Sequence, residues 1–154
     1  KEKESLETRL SQVSGADGNN KLLTAVIKAA NLYISNDSTG AAEAIADVDV
    51  SSLPVEEAKT LYNTISGATM MNAANDLYNR GMTAYNKADY TTAADLLVRA
   101  YKCDKTKADA VFYAAKSYVA LNQPDNAKKY YQIIADEFKS SGYVTEAQAY
   151  VQSH

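Results

Sequence analysis

The stretch "KADYTTAADLLVRAY", residues 87–101, combines small and large apolar residues at helical spacing. Ala93 and Ala100 lie on one side of the expected helix, and the larger pair Leu96 and Leu97 lies between them. A side chain longer than a methyl group would hold two crossing helices apart, so small residues mark the place where two helix axes come close. The stretch therefore predicts a helix that packs tightly against a neighbouring helix.

The second half of the chain repeats itself, so that residues 74–107 align with residues 108–141. Small residues align with small ones and large with large: Ala74 with Ala108, Leu77 with Val111, Tyr78 with Phe112, Gly81 with Ala115, Ala93 with Ala127, Leu97 with Tyr131 and Ala100 with Ile134. Each unit contains two predicted helices, at 71–87 and 90–103 and then at 107–121 and 124–138. A 34-residue repeat with two helices per unit is typical of a helical solenoid.

The order of large and small residues within the units is specific. The first unit has Leu77, Gly81, Tyr85, the turn "ADY" at 88–90, Ala93, Leu97 and Ala100, and the second has Val111, Ala115, Tyr118, Ala127, Tyr131 and Ile134. In this order the chain resembles the tetratricopeptide repeat family, although both units lack the family's tryptophan and terminal proline, and Ile134 is large where the family keeps a small residue. The resemblance implies an all-α fold, a right-handed superhelical solenoid of antiparallel helix pairs. Within it, Gly81, Ala93, Ala115 and Ala127 are expected to be buried at helix crossings.

The remaining segments flank the two repeat units. Residues 1–19 predict a charged helical stub with Leu6, Leu10 and Val13 on one side, followed by the loop "SGADGNN", and one interpretation of the stub is the end of a coiled-coil stalk. Residues 20–73 predict degenerate repeat-like helices. Residues 142–154 predict a C-terminal capping helix whose inward positions are Val144, Ala147 and Val151.

The helices of residues 20–73 have predicted faces and ends. Residues 21–34 place Leu23, Ile27, Ala30 and Ile34 on one face, "SNDSTG" at 35–40 ends that helix, and a shorter helix covers 41–48. The next helix begins near Pro54 and buries Val55, Ala58, Leu61, Tyr62 and Ile65. Ser66 and Gly67 then mark either a break or a point through which the helix continues.

Composition argues against several classes of partner and site. The chain carries 16 Lys and Arg against 19 Asp and Glu, so it has no basic excess and we expect no nucleic-acid partner. No apolar run reaches the roughly 20 residues that a membrane span needs, so we expect no direct membrane insertion of this fragment. A single cysteine excludes an internal disulfide, and the sequence contains no cluster that predicts a metal or another cofactor.

No arrangement of side chains in the sequence indicates catalysis. The only histidine, His154, is the last residue, where a frayed end is a better interpretation than a general base. Cys103 has no histidine near it in sequence and is interpreted as a packing residue. The sequence therefore predicts that the protein is not an enzyme.

The resemblance implies a binding surface, because the first helices of the units line a concave groove in the family. The residues at the matching positions are Asn75, Tyr78, Met82, Tyr85 and Asn86 from one unit and Asp109, Phe112, Lys116 and Val119 from the next. Such a partly aromatic strip with polar edges suits a peptide or a helix of a protein partner. The competing interpretation is that most of the 12 tyrosines simply fill space between helices with their hydroxyls in water.

The sequence thus predicts a non-catalytic protein–protein interaction or assembly module. The alternative is a structural spacer or self-association domain of a membrane-anchored envelope protein. The ending "YYQIIADEF" at 130–138 is similar to tetratricopeptide domains of bacterial cell-envelope proteins, and the chain begins without Met. These features favour the extracytoplasmic part of a membrane-anchored bacterial protein, while a cytoplasmic adaptor fits the composition equally well.

Overall fold

The computed structural model describes residues 2–14 and 21–154, and the regular structure of this part of the chain is helical, with no strand. The α-helices are α1 (Glu2–Ser14), α2 (Lys21–Ile34), α3 (Ser38–Ile45), α4 (Glu56–Asn86), α5 (Tyr90–Cys103), α6 (Ala108–Ala120), α7 (Pro124–Glu137) and α8 (Val144–Ser153), and a 3-10 turn covers Val50–Ser52. The prediction of an all-α protein is confirmed. The predicted loop "SGADGNN" covers residues 14–20; Ser14 is the last residue of α1, and residues 15–20 lie outside the described residues.

The chain divides into two compact units, residues 1–73 and residues 74–154. The first unit holds α1, α2, α3 and the part of α4 that ends at Ala73, and the second holds the rest of α4 and the helices that follow it. The helices α5, α6, α7 and α8 lie nearly at their predicted bounds, because each has a clear apolar stripe. Of the predicted inward positions of α8, Ala147 is buried, whereas Val144 and Val151 are half-buried.

The helix α4 continues through Ser66 and Gly67, so the break considered at these two residues does not occur. The Ser66 hydroxyl donates to the carbonyl oxygen of Asn63 at 3.2 Å, and Gly67 is exposed. One glycine in a helix interior costs only about 1 kcal/mol. Burial of Ile65 just before the glycine and of Thr69 just after it holds the helix together through this point.

The core of the first unit collects apolar side chains from all of its helices. Leu6 and Val13 of α1 are buried together with residues of α2, α3 and α4. Leu23 and Ala30 of the predicted face of α2 are buried, and Ile27 and Ile34 are partly buried and pack against the same core. The buried stripe also extends beyond the predicted face to Val26 and Ala29. The reason is that α2 packs against both α1 and α3, and a helix with two neighbours buries a wider stripe than one face.

The helix α3 begins at Ser38, earlier than the predicted start at residue 41. Asp37 is its N-cap, and its Oδ1 accepts a hydrogen bond of 2.8 Å from the backbone N–H of Gly40. The polar composition of "SNDSTG" predicts a loop, but an aspartate before a helix satisfies the otherwise unpaired N–H groups of the first turn. The loop is therefore shorter than its composition predicts.

The same tight turn joins α2 to α3, α4 to α5 and α6 to α7. In each turn one residue has a left-handed backbone, and the next residue donates its N–H to the carbonyl five positions earlier. The left-handed residues are Asn36 (φ 67°), Ala88 (φ 60°) and Asn122 (φ 55°), and the bonds join Asp37 to Leu32 (2.9 Å), Asp89 to Ala84 (3.0 Å) and Gln123 to Tyr118 (2.9 Å). This connection reverses the chain sharply, so each pair forms a helical hairpin.

The predicted small positions of the second unit are buried. Ala93, Ala115 and Ala127 are each 0% exposed, and Gly81 is also buried. A Cβ atom on Gly81 would lie only 2.8 Å from Cγ of Leu97, so α4 and α5 approach closely at this crossing. Along the unit, α5 packs on α6, α6 on α7 and α7 on α8. The predicted burial of these four small residues is confirmed, and at Gly81 the contact with Leu97 places the small residue at a helix crossing.

Candidate functional site

Phe112 of α6 is the centre of an aromatic cluster in the second unit. The Tyr143 ring stacks on it, with centroids 4.2 Å apart and an interplanar angle of 15°. Tyr113 and Tyr131 meet it edge to face, at centroid distances of 5.4 and 6.1 Å. These neighbours leave Phe112 only 6% exposed. The prediction that Phe112 lines an open groove is therefore corrected: its ring supports the tyrosines around it.

Tyr78 and Tyr85 of α4 lie beside this cluster. The Tyr85 ring meets the Tyr113 ring at a centroid distance of 5.1 Å and an angle of 71°. The Lys107 ammonium lies 5.3 Å from the centroid of the Tyr78 ring, and the Asp109 carboxylate lies near the Tyr78 hydroxyl. Burial, followed by the proximity of the Asp109 carboxylate, raises the pKa of Tyr78 to about 12. The structure thus brings Tyr78 and Tyr85 of α4 next to Asp109 and Tyr113 of α6.

Polar contacts tie α6, α7 and α8 together at Glu146. The Lys116 Nζ lies 3.3 Å from Glu146 Oε1, and the Tyr131 hydroxyl donates to the same oxygen at 3.1 Å. Burial, and next the charge of Glu146, raises the pKa of Tyr131. Lys116 also lies 5.3 Å from the centroid of the Phe112 ring. The charge of Lys116 is therefore compensated by a residue from another helix.

We call the side chains that surround Phe112 and remain accessible the aromatic surface: Tyr78, Tyr85, Tyr113, Lys116, Tyr143 and Glu146. The four tyrosines are half-buried, so each stays partly accessible to solvent. Burial raises the pKa of Tyr85 and of Tyr143, and each phenol stays protonated at neutral pH. Within residues 2–14 and 21–154, the hydroxyls of Tyr85, Tyr113 and Tyr143 have no hydrogen-bond partner. The aromatic surface therefore presents ring faces together with O–H donors.

The other predicted groove residues are three side chains of α4 and one of α6. Asn75 and Asn86 are exposed on α4, and Met82 is half-buried. Val119 is 44% exposed and lines a separate depression of about 390 Å³ together with Asn122, Gln123, Pro124, Tyr150 and His154. The His154 ring stacks on Tyr150 at 4.1 Å. The structure thus brings together five of the nine predicted residues: Tyr78, Tyr85, Asp109, Phe112 and Lys116.

Sequence reasoning missed the contribution of α8 and the residue before it. Tyr143, Glu146 and Tyr150 follow Asp109, Phe112 and Lys116 by one further repeat, so the same shift that aligns the two units also points to them. Because residues 142–154 are interpreted as a cap, and not as the first helix of a third unit, this alignment does not enter the prediction of site residues. Tyr113 was missed for another reason: it is the next residue after Phe112, about 100° further around the helix, and so belongs to a different predicted face.

The described residues offer little reactive chemistry. Cys103 is buried, and in the described part of the chain no three His, Cys, Asp or Glu side chains group in a way that could hold a metal ion. None of the described helices combines the length and apolarity that crossing a membrane requires. Comparison of the chain with protein-family models, curated proteins and solved structures finds no match. A functional interpretation therefore depends on the aromatic surface itself.

Proposed function

We propose that the protein is a non-catalytic interaction module that binds a peptide or helix of a partner protein at the aromatic surface. One observation carries the proposal. The contacts of Tyr85 with Tyr113 at 5.1 Å and of Phe112 with Tyr143 at 4.2 Å join α4, α6 and the start of α8, which are far apart in sequence, into one aromatic patch. Aromatic side chains held on rigid helices are the residues that most often dominate protein-binding energy.

A tetratricopeptide-like arrangement of residues 74–141 is part of this proposal. The tight turns at Ala88 and Asn122 lie at equivalent positions of the two repeat units and have nearly equal φ angles of 60° and 55°. The contacts of α6 with both α4 and the start of α8 support a row of first helices, with α5 and α7 as second helices. In such a row, the first helices line the binding side.

The aromatic surface is well suited to binding because it is ordered before a partner arrives. The bridge from Lys116 to Glu146, the hydrogen bond from Tyr131 to Glu146 and the ring contacts of Tyr85 and Tyr143 hold side chains that would otherwise sample several rotamers. Tyrosine has only two side-chain torsions, so it presents a large area with little entropy left to lose. A partner therefore gains the contact energy of the rings at a small ordering cost.

The proposal is tested by panning a random peptide library displayed on phage against the full chain. The enriched peptides are then titrated against a double variant, Tyr78→Ala with Tyr85→Ala, and against Tyr118→Ala. Tyr118 is a matched control, because it is a half-buried tyrosine of the same unit that stacks on Tyr130 at 5.5 Å. We expect the double variant to lose about tenfold or more in affinity and the control to lose little. Equal affinity of the enriched peptides for all three proteins contradicts the proposal.

The alternative is a structural spacer or self-association domain. Its coiled-coil version needs a free apolar seam on α1, but Leu6 and Val13 are 2% and 0% exposed within the first unit. We therefore prefer the binding module. Light scattering over a wide concentration range separates the two, since a protein that stays monomeric throughout does not serve as a self-association domain.

A further inference from the structure

The charges and hydrogen-bond donors of the aromatic surface indicate the chemistry of its ligand. Building on the proposed function, we propose that this surface binds an uncharged, proline-rich segment in the polyproline II conformation. Such a segment is extended, rich in exposed carbonyl groups and poor in N–H groups. The charge balance, the free donors and the ring geometry of the surface each favour it.

The first argument is charge. Lys116 is paired with Glu146 at 3.3 Å, Lys107 lies over the Tyr78 ring, and the Asp109 carboxylate lies near the Tyr78 hydroxyl. These charges already have partners near them, so a charged peptide would gain little from a further ion pair at the surface. The surface is therefore complementary to a neutral ligand.

The second argument is hydrogen bonding. The hydroxyls of Tyr85, Tyr113 and Tyr143 are free to donate in the described part of the chain. A helix has already used its carbonyl groups internally, except in its last turn, and offers these hydroxyls few acceptors along its length. A polyproline II segment has no internal hydrogen bonds, so its carbonyl groups remain available. The ligand that matches these O–H donors is thus an extended chain of tertiary amides.

The third argument is shape and entropy. The rings of Tyr85 and Tyr113 are inclined by 71°, so the surface is angular and not flat. Compact pyrrolidine rings pack well on such aromatic faces, and Pro-rich segments are known to dock in aromatic-lined grooves. Proline has its φ angle locked, so the segment is nearly ordered before it binds.

The inference is tested with decaproline that carries a fluorophore at one end and an amide at the other. Fluorescence anisotropy is recorded while the 154-residue chain is titrated into the peptide. Peptides of the same length made of Gly and Ser, or of an alanine-rich helical sequence, serve as ligand controls. We expect saturable binding of decaproline alone, with a dissociation constant that changes less than about threefold between about 0.05 and 0.5 M NaCl, because no charge pair forms.

Variants that remove only the tyrosine hydroxyl distinguish hydrogen bonding to the ligand from apolar contact with the ring. Tyr85→Phe, Tyr113→Phe and Tyr143→Phe keep the ring, and each is expected to weaken binding about threefold to tenfold through the lost hydrogen bond. Tyr118→Phe, on the Tyr130 side of α6, is the matched control and is expected to bind like the unchanged protein. Circular dichroism verifies that each variant is folded. The inference is overturned if decaproline does not bind saturably or if all four variants bind it equally.

Failure of this inference is distinguishable from failure of the proposed function. If display selection yields peptides without proline whose binding depends on Tyr78 and Tyr85, the interaction module stands and the proline-rich ligand is wrong. If neither selected peptides nor decaproline depend on the aromatic surface, both are wrong.

Discussion

Substitution of two glycines in the same helix, α4, separates helix propensity from packing. A Cβ atom on Gly81 would lie 2.8 Å from Cγ and 3.0 Å from Cδ2 of Leu97, and 3.3 Å from Cβ of Leu96. Non-bonded carbon atoms prefer roughly 3.5–4.0 Å. A Cβ atom on Gly67 would meet nothing within 4 Å. Gly81→Ala therefore tests the helix crossing, and Gly67→Ala is its matched control.

The expected magnitudes follow from two opposing contributions. Replacing glycine by alanine in a helix interior stabilises by about 1 kcal/mol at both positions. At Gly81 the added methyl group overpacks the crossing at a cost of about 1–3 kcal/mol. Leu97 is 0% exposed and cannot move into solvent to relieve the overlap. We expect Gly67→Ala to raise the free energy of unfolding by about 1 kcal/mol and Gly81→Ala to change it by about 0 to −2 kcal/mol.

The assay is urea denaturation followed by far-ultraviolet circular dichroism, in which each variant is compared with the unchanged protein. The propensity gain is common to the two variants, so the difference between them isolates the steric cost. Leu97→Ala supplies the second side of a double-mutant cycle, because it removes the Cγ atom that the new methyl group would meet. In that background Gly81→Ala should be stabilising. Equal stabilisation by Gly67→Ala and Gly81→Ala in the unchanged protein would refute the close approach of α4 and α5.

Three further predictions concern the second unit. Ala127→Leu should overpack a fully buried site and lower the free energy of unfolding by about 1–3 kcal/mol in urea denaturation, and an unchanged midpoint contradicts the crossing assigned there. Ala88 has φ 60°, so Ala88→Gly should relieve the left-handed strain and raise stability by about 0.5 kcal/mol in a thermal melt, whereas a lower melting temperature contradicts the turn geometry. Burial, and next the hydrogen bond to Glu137 at 2.9 Å, raises the pKa of Tyr101 to about 12. Between pH 10 and pH 12 the unfolded state loses the phenol proton first, so stability should fall as the pH rises, and less steeply in Tyr101→Phe; identical slopes would exclude this contribution.

Local patterns are enough to locate most helices. The stripes of α5 and α7 place the side chains Ala93 and Ala127 inward, and both are fully buried as expected. The end of α4 and the start of α5 are also predictable, because Asp89 caps α5 by accepting from the N–H of Thr92. These features depend on residues within a few positions of each other, which the sequence displays directly.

Other features of the structure are decided by contacts between residues that are far apart in sequence, so local patterns do not predict them. Whether α4 breaks at Gly67 depends on the balance between a local cost and burial on either side, and composition leaves that balance undecided. The burial of Phe112 depends on Tyr143, which lies beyond α7 in the chain and stacks on its ring. Which tyrosine hydroxyls donate to a carboxylate, as those of Tyr101 and Tyr131 do, likewise depends on helices that are distant in sequence.

By itself, the sequence of this protein determined the helical class, the turn at residues 88–90 and the burial of the small residues of the second unit, since periodicity and capping act over one or two turns of chain. Only the tertiary structure decided which aromatic rings are covered and which remain accessible. Exposure of a ring is a property of the neighbours that pack on it, and those neighbours come from other helices.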